Sequence, residues 1–211
     1  MEEHVVKILD IQPLTGNVKR FRVEKPAGYT FVPGQATEVT VRKPGWEAES
    51  RPFTFTALPG APYLEFMIKS YRDHEGVTKL IDTLVPGDQW ILHDVWGALT
   101  YRGPGLFLAG GAGITPFAAI LRHLSAQGKA EGNRLIFANK TVGDAFLGPE
   151  FATILGRDFH PVVGPLGRAL VASLLRPGDL VYLCGPDPMM EALQADLAAL
   201  GVSPSRIVVE D

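Results

Sequence analysis

Gly-Leu-Phe-Leu-Ala-Gly-Gly-Ala-Gly-Ile-Thr-Pro-Phe-Ala-Ala-Ile-Leu-Arg-His-Leu, residues 105–124, is the stretch that decides the fold. Leu106, Phe107, Leu108 and Ala109 form a short apolar run of the kind a parallel sheet buries on both faces. Gly110, Gly111 and Gly113 follow as a turn almost without side chains, which predicts a backbone that a ligand can approach closely. Thr115 suits an N-cap and Pro116 a first helical residue. Phe117, Ile120, Leu121 and Leu124 then recur at helical spacing. Strand, glycine turn and capped helix together predict an anion site, because free helix N–H groups and the macrodipole face the loop. The geometry suits a nucleotide phosphate. It is not the dinucleotide fingerprint G-x-G-x-x-G, since Pro116 holds the third glycine position.

Downstream, apolar runs and helical patterns alternate: strands at 106–109, 134–138, 159–163, 180–184 and 206–209, helices at 116–127, about 149–155, 168–175 and 188–200. Such a βαβ series predicts a doubly wound, five-stranded parallel sheet with helices on both faces. Upstream the chain reads differently. Short runs of β-formers at 5–9, 18–22, 36–42, 53–56, 63–70 and 89–95 are separated by turns, and only 76–84 has helical spacing, through Val77, Leu80, Ile81 and Leu84. That pattern predicts a small closed antiparallel β-barrel. Gly103-Pro104-Gly105 separates the two halves, giving expected domains of 1–102 and 103–211.

Composition narrows the chemistry. An apolar share of 46% with 20% charged residues describes a folded chain, and a net charge of −3 without a basic run argues against nucleic acid as a partner. No stretch approaches the roughly 20 apolar residues of a membrane helix. Met1-Glu2-Glu3-His4 is acidic and lacks an apolar signal core, so a cytoplasmic protein is expected. Cys184 is the only cysteine and the five histidines show no ligand spacing, so neither an iron–sulfur cluster nor another metal site is expected. Redox chemistry, if present, needs an organic cofactor.

Arg51-Pro52-Phe53-Thr54 after Pro33-Gly34-Gln35, then Gly76-Val77-Thr78, then Gly110-Gly111-Ala112-Gly113-Ile114-Thr115-Pro116, then Cys184-Gly185-Pro186 stand in one order along the chain. In that order and spread they resemble the ferredoxin–NADP reductases and flavodoxin reductases. The resemblance spans nearly the whole chain and implies FAD, less often FMN, on the barrel, and NADH or NADPH on the βαβ half. It implies a hydride passed from nicotinamide to flavin, then electrons to an external acceptor such as a ferredoxin, a flavodoxin or an oxygenase component. A non-catalytic flavin-binding electron-transfer subunit is the alternative.

The residue roles follow from the same resemblance. Arg51 would grip the flavin diphosphate, its alternative being a surface ion pair with Glu47 or Glu49. Phe53, where the family usually has Tyr, would stack on the flavin without a hydroxyl to offer, or simply fill the barrel core. Thr54 would put a hydroxyl near flavin N5. Met67, Ile68 and Lys69 on the neighbouring strand would also meet the flavin. Gly76, Val77 and Thr78 would bind a phosphate at a helix start, although Thr78 also reads as a plain cap. Trp96 would lie beside the ring system or adenine. On the second half, Cys184 would lie near nicotinamide C4, or serve simply as a buried structural thiol, with Gly185 and Pro186 shaping its turn, Asp187 and Pro188 as N-cap and N1, and Met189 beside the cofactor chiefly as packing. Glu210 would be the acidic residue near Thr54 and Cys184. Asn139-Lys140-Thr141, after the second strand of that half, would meet the adenosine ribose, where a carboxylate favours NADH and a cation NADPH. Lys140 leans towards tolerating a 2′-phosphate and Gly167-Arg168 could contribute, but Asn-Lys-Thr is not a clear NADPH cluster, so the sequence leaves that choice open.

Overall fold

The computed structural model describes residues 3–71 and 75–209. The chain divides into two compact units, Met1–Gly97 and Ala98–Asp211. In the first, β1 (His4–Pro13), β2 (Val18–Glu24), β3 (Ala36–Val41), β4 (Ser50–Thr54), β5 (Tyr63–Lys69) and β6 (Gln89–Trp96) pair antiparallel in the order β4-β3-β6-β1-β2-β5. Period-2 alternation turns Phe21, Val23, Leu64, Phe66, Trp90 and Leu92 into one buried core. The sheet curls into a barrel, and the segment just after β4 is clasped to β5. There the Thr56 N–H donates to the Glu65 carbonyl at 2.8 Å and the Thr56 hydroxyl to Glu65 Oε1 at 3.1 Å. Glu65 is 4% exposed, and Arg22 Nε stands 3.1 Å from its other carboxylate oxygen. A buried carboxylate needs such partners to offset its lost hydration.

β4 lies earlier than the expected 53–56. Ser50 to Thr54 pair with Thr40 back to Ala36, while Phe55 and Thr56 leave that ladder for Gln35 and Glu65. The expected helix at 76–84 is the shorter α1 (Val77–Ile81), with Val77, Ile81 and Leu84 buried as the spacing requires. Gly76, not Thr78, occupies its N-cap, and no side chain caps it.

The second unit follows its expected pattern closely: β7 (Gly105–Gly110), α2 (Thr115–Ala126), β8 (Arg134–Asn139), α3 (Gly148–Leu155), β9 (Phe159–Val163), α4 (Arg168–Leu174), β10 (Leu180–Cys184), α5 (Asp187–Ala199) and β11 (Ile207–Val208). The five strands are parallel, in the order β11-β10-β7-β8-β9. α4 and α5 pack Val171, Leu193 and Leu197 on one face, against Leu106, Leu108, Ile136, Val181 and Leu183. On the other, Phe107 meets Phe117 of α2 edge-on at 5.1 Å and Phe137 meets Phe146 at 6.1 Å. Among the described residues, no helix is long and apolar enough to cross a membrane.

The second unit starts at Ala98, ahead of the expected 103, because Tyr182 gathers the connecting segment. Its hydroxyl accepts the Arg102 N–H at 2.9 Å and the Gly103 N–H at 3.1 Å and donates to the Gly103 carbonyl at 2.7 Å. Tyr101 stacks on the same ring at 6.1 Å. Burial raises the phenol above its ordinary 10.0, against the opposing pull of the two backbone N–H donors. Tyr182→Phe should therefore lower the unfolding free energy by about 2 kcal/mol, measured by chemical denaturation at neutral pH. With the folded pKa raised, this stabilisation is complete below pH 10.0 and lost as pH rises through the folded value. The variant should show a smaller alkaline loss than the wild type.

Candidate functional site

From β7 the chain winds outward to β8 and β9, then returns to lay β10 and β11 on β7's other side. The carboxyl ends of β7 and β10 thus flank the topological switch point, where open α/β sheets hold ligands. Two turns meet there: the 3-10 turn Gly111–Ile114 and the 184–186 turn. A Cβ on Gly113 would overlap the Cys184 carbonyl and lie 2.6 Å from the Gly185 nitrogen. One on Gly110 would lie 2.5 Å from Met189 Sδ and 3.1 Å from Pro186 Cδ. One on Gly185 would overlap Met189 Cε. Gly113 is therefore glycine because turn packs on turn, and Gly110 leaves space for Met189 and Pro186. Gly111, with φ of 53° and nothing within 4 Å of its would-be Cβ, alone of the three presents an open backbone. Met189 fills the gap between the turns and packs against the sheet core.

Thr115 is not an N-cap. The 3-10 turn runs directly into α2, Ile114 precedes the helix in helical conformation, and the Thr115 hydroxyl donates back to the Ala112 carbonyl at 3.1 Å. The amides that precede the first intrahelical bonds consequently belong to the glycine turn. Ile114 and Pro116 are buried. At α5 the cap is Pro186, whose carbonyl accepts Met189 and Met190 N–H at 2.9 and 3.0 Å, so Asp187 and Pro188 each stand one position further into the helix than expected. Cys184 ends β10 half-buried.

At the end of β8, Asn139 is 6% exposed. The Thr141 hydroxyl donates to Asp144 Oδ2 at 2.8 Å, beside a capping box in which the Asp144 N–H donates to the Thr141 side chain and the Thr141 N–H to Asp144 Oδ2 at 3.1 Å, and Lys140 is exposed. Arg168, another cation near a strand end, is bonded through Nε to Asp196 at 2.7 Å.

In the barrel, Arg51 is exposed and rests Nη1 against Glu49 Oε2 at 3.3 Å, the ion pair weighed as its alternative role. A pair so exposed contributes under about 1 kcal/mol and yields readily to a better anion. Pro52 is exposed, Phe53 is half-buried and packs on the core, and Thr54 is half-buried. Thr54, Ala36 and Trp96 share one row across β4, β3 and β6. Met67 and Ile68 are 5% and 3% exposed, so their side chains serve packing and only their backbone remains for a ligand. Lys69 is half-buried, its Nζ 5.9 Å from the Tyr71 ring centroid. Val77 is likewise a core side chain, leaving Gly76, Val77 and Thr78 their amides at the start of α1. Glu210 lies outside the described residues. The Glu65 clasp, with its arginine partners, was not marked in the sequence, where it reads as an ordinary charge within a strand.

No protein-family model matches the chain. The reductase component of propane 2-monooxygenase from Rhodococcus jostii (strain RHA1) is 31% identical over 230 residues, which cover 95% of this chain and 61% of that protein. NADH-cytochrome b5 reductase 1 of Homo sapiens is 28% identical over 255 residues, 96% of this chain and 83% of its own. The crystal structure of a ferredoxin NADP+ reductase from Neisseria gonorrhoeae with bound FAD and NADP superposes with a TM-score of 0.85 at 19% identity, over 99% of this chain and 98% of that one. The chain spans about three-fifths of the length of the propane 2-monooxygenase reductase.

The two glycine roles separate by mutation. Gly111→Ala should cost only the left-handed strain of about 1–2 kcal/mol. Gly113→Ala must push the 184–186 turn away and should cost more, with the larger fall in melting temperature. Equal losses would sink the turn-on-turn account.

Proposed function

We propose, for a chain that fits the ferredoxin–NADP reductase and flavodoxin reductase superfamily, an NAD(P)H-dependent flavoprotein reductase that delivers electrons to an external acceptor. The observation that carries this reading is the parting of β4 and β5 beyond the Thr56–Glu65 clasp. These are the terminal strands of the sheet, and among the described residues each pairs on one side only. Their free backbone edges, with an exposed guanidinium at Arg51, fit a flat heterocycle bearing a diphosphate. FAD is the proposed group, with FMN as the smaller alternative.

Arg51 would hold the diphosphate in a bidentate grip, and Gly76, Val77 and Thr78 would add amide donors. Thr54 would offer its hydroxyl to the ring edge, Phe53 the exposed part of its ring, and Met67, Ile68 and Lys69 their strand edge. Trp96, 36% exposed, would cover an adjoining part of the ligand. In the second unit, the glycine turn from Gly111 to Thr115 would take the phosphates of the nicotinamide dinucleotide, and Asn139, Lys140 and Thr141 its adenosine half. Cys184 would leave room beside the nicotinamide. A bound flavin supplies the redox chemistry, taking hydride from a nicotinamide and releasing electrons onward, so the residues work by positioning. An oxygenase component or a ferredoxin-type protein is the proposed acceptor, and the cytoplasm the proposed setting.

The test is the absorption spectrum of the protein reconstituted with FAD, before and after anaerobic NADH or NADPH. Flavin bands that bleach are expected, and Arg51→Ala should weaken FAD retention by about tenfold or more without loss of fold. Failure to retain any flavin would sink the proposal. Bound flavin that neither nucleotide bleaches would point instead to an electron-transfer subunit.

A further inference from the structure

β6 carries one residue more than β3 along their shared ladder. Val39 lies opposite Leu92 and Thr37 opposite Val95, so His93 and Asp94 together face Glu38 in a β-bulge. The bulge changes which way the next side chains point. Trp90 and Leu92 are core residues, and unbroken alternation would send positions 94 and 96 to that same face. Instead Val95 packs on the core, in one row with Thr37 and Phe53. Trp96 is thereby turned to the opposite face, in the row of Ala36 and Thr54, and is 36% exposed.

Two hydroxyls hold the bulge. The His93 carbonyl accepts the Tyr29 O–H at 2.7 Å and the Thr37 O–H at 2.9 Å, one for each lone pair. The Thr37 hydroxyl also lies 3.2 Å from the Glu38 carbonyl, and the Thr40 hydroxyl 3.2 Å from His93 Nε2. Tyr29 is buried, with the rings of His4 and Phe55 edge-on to it at 5.1 and 6.0 Å. Phenylalanine would serve those ring contacts equally well, so what the tyrosine adds is its donor. Burial raises the phenol above its ordinary 10.0, opposed by the Thr37 hydrogen bond and assisted by the Asp94 carboxylate, which keeps that donor protonated.

We propose that Tyr29 is a positioning residue for the flavin site: through the His93 carbonyl it fixes the bulge that aims Trp96 onto the face of Thr54, where the indole lies against the bound flavin. The flavin rests on the reductase reading above; the aiming of Trp96 does not. Tyr29 acts from within the barrel, through the backbone alone.

The test joins two measurements on the full chain. FAD affinity is obtained by fluorescence titration, and acrylamide quenching of Trp96 is recorded before FAD is added, with Trp96→Ala subtracting the signals of Trp46 and Trp90. Tyr29→Phe should change the quenching of Trp96 and weaken FAD by about fivefold, the worth of one hydrogen bond. In a Trp96→Ala background the same substitution should leave FAD affinity unchanged, because the tyrosine acts only through the indole. Should Tyr29→Phe not fold, Thr37→Val takes its place in the same cycle, with the same outcomes expected. Unchanged FAD affinity in Tyr29→Phe overturns the proposal. So does an equal loss with and without Trp96, which a merely structural tyrosine would give. If the wild type retains no FAD while Tyr29→Phe still alters Trp96 quenching, the reductase reading falls and the aiming of Trp96 stands. Retained and reducible FAD with Trp96 quenching unaltered by Tyr29→Phe overturns the positioning role alone.

Discussion

Gly113 lies against the carbonyl of Cys184, and the arrangement of turns at the carboxyl end of the parallel sheet depends on that contact. β7 and β10 are parallel neighbours, with Ala109 level with Cys184, so their turns leave the sheet side by side. A side chain at 113 would drive them apart, and one at 110 or 185 would displace Met189, which occupies what little space is left between them. Pressed together, the turns leave Gly111 as the outward-facing backbone, and the helical path that begins there carries its free amides up to the switch point.

The barrel is governed by a comparable constraint of a different kind. Just after β4, Thr56 bonds both the backbone and the carboxylate of Glu65 in β5. That carboxylate is buried, and it is held by Arg22 at 3.1 Å with Arg20 at 3.6 Å. Removing it would leave two partly enclosed cations without their counter-charge, so the clasp and the charge cluster stand or fall together. Where the clasp ends, the free edges begin.

Most of the second unit could be read from its sequence because the information is local. Continuous apolar runs mark strands covered on both faces, and glycine and proline mark their ends. What could not be read is set by residues distant along the chain. Gly110, Gly111 and Gly113 look alike in sequence, yet two of them accommodate the 184–186 turn with Met189 and one faces open space. Thr115 has the composition of a cap, but the preceding turn was already helical. β4 slid towards Arg51 because its register comes from β3, not from its own β-formers. Asn139 was visible as a polar residue at a strand end; that its amide finds no partner among the described residues was not.

Tyr182 bears on how such proteins can be taken apart and recombined. The natural place to divide the chain by eye is the Gly103-Pro104-Gly105 punctuation, yet the phenol at the centre of β10 holds the backbone ahead of it, and Leu99 is fully buried. The segment from Ala98 onward belongs structurally with the parallel sheet. A chimaera that exchanges one half for a relative's must therefore carry residues 98–103 with the sheet, or supply from its donor an equivalent pair of amides for the tyrosine.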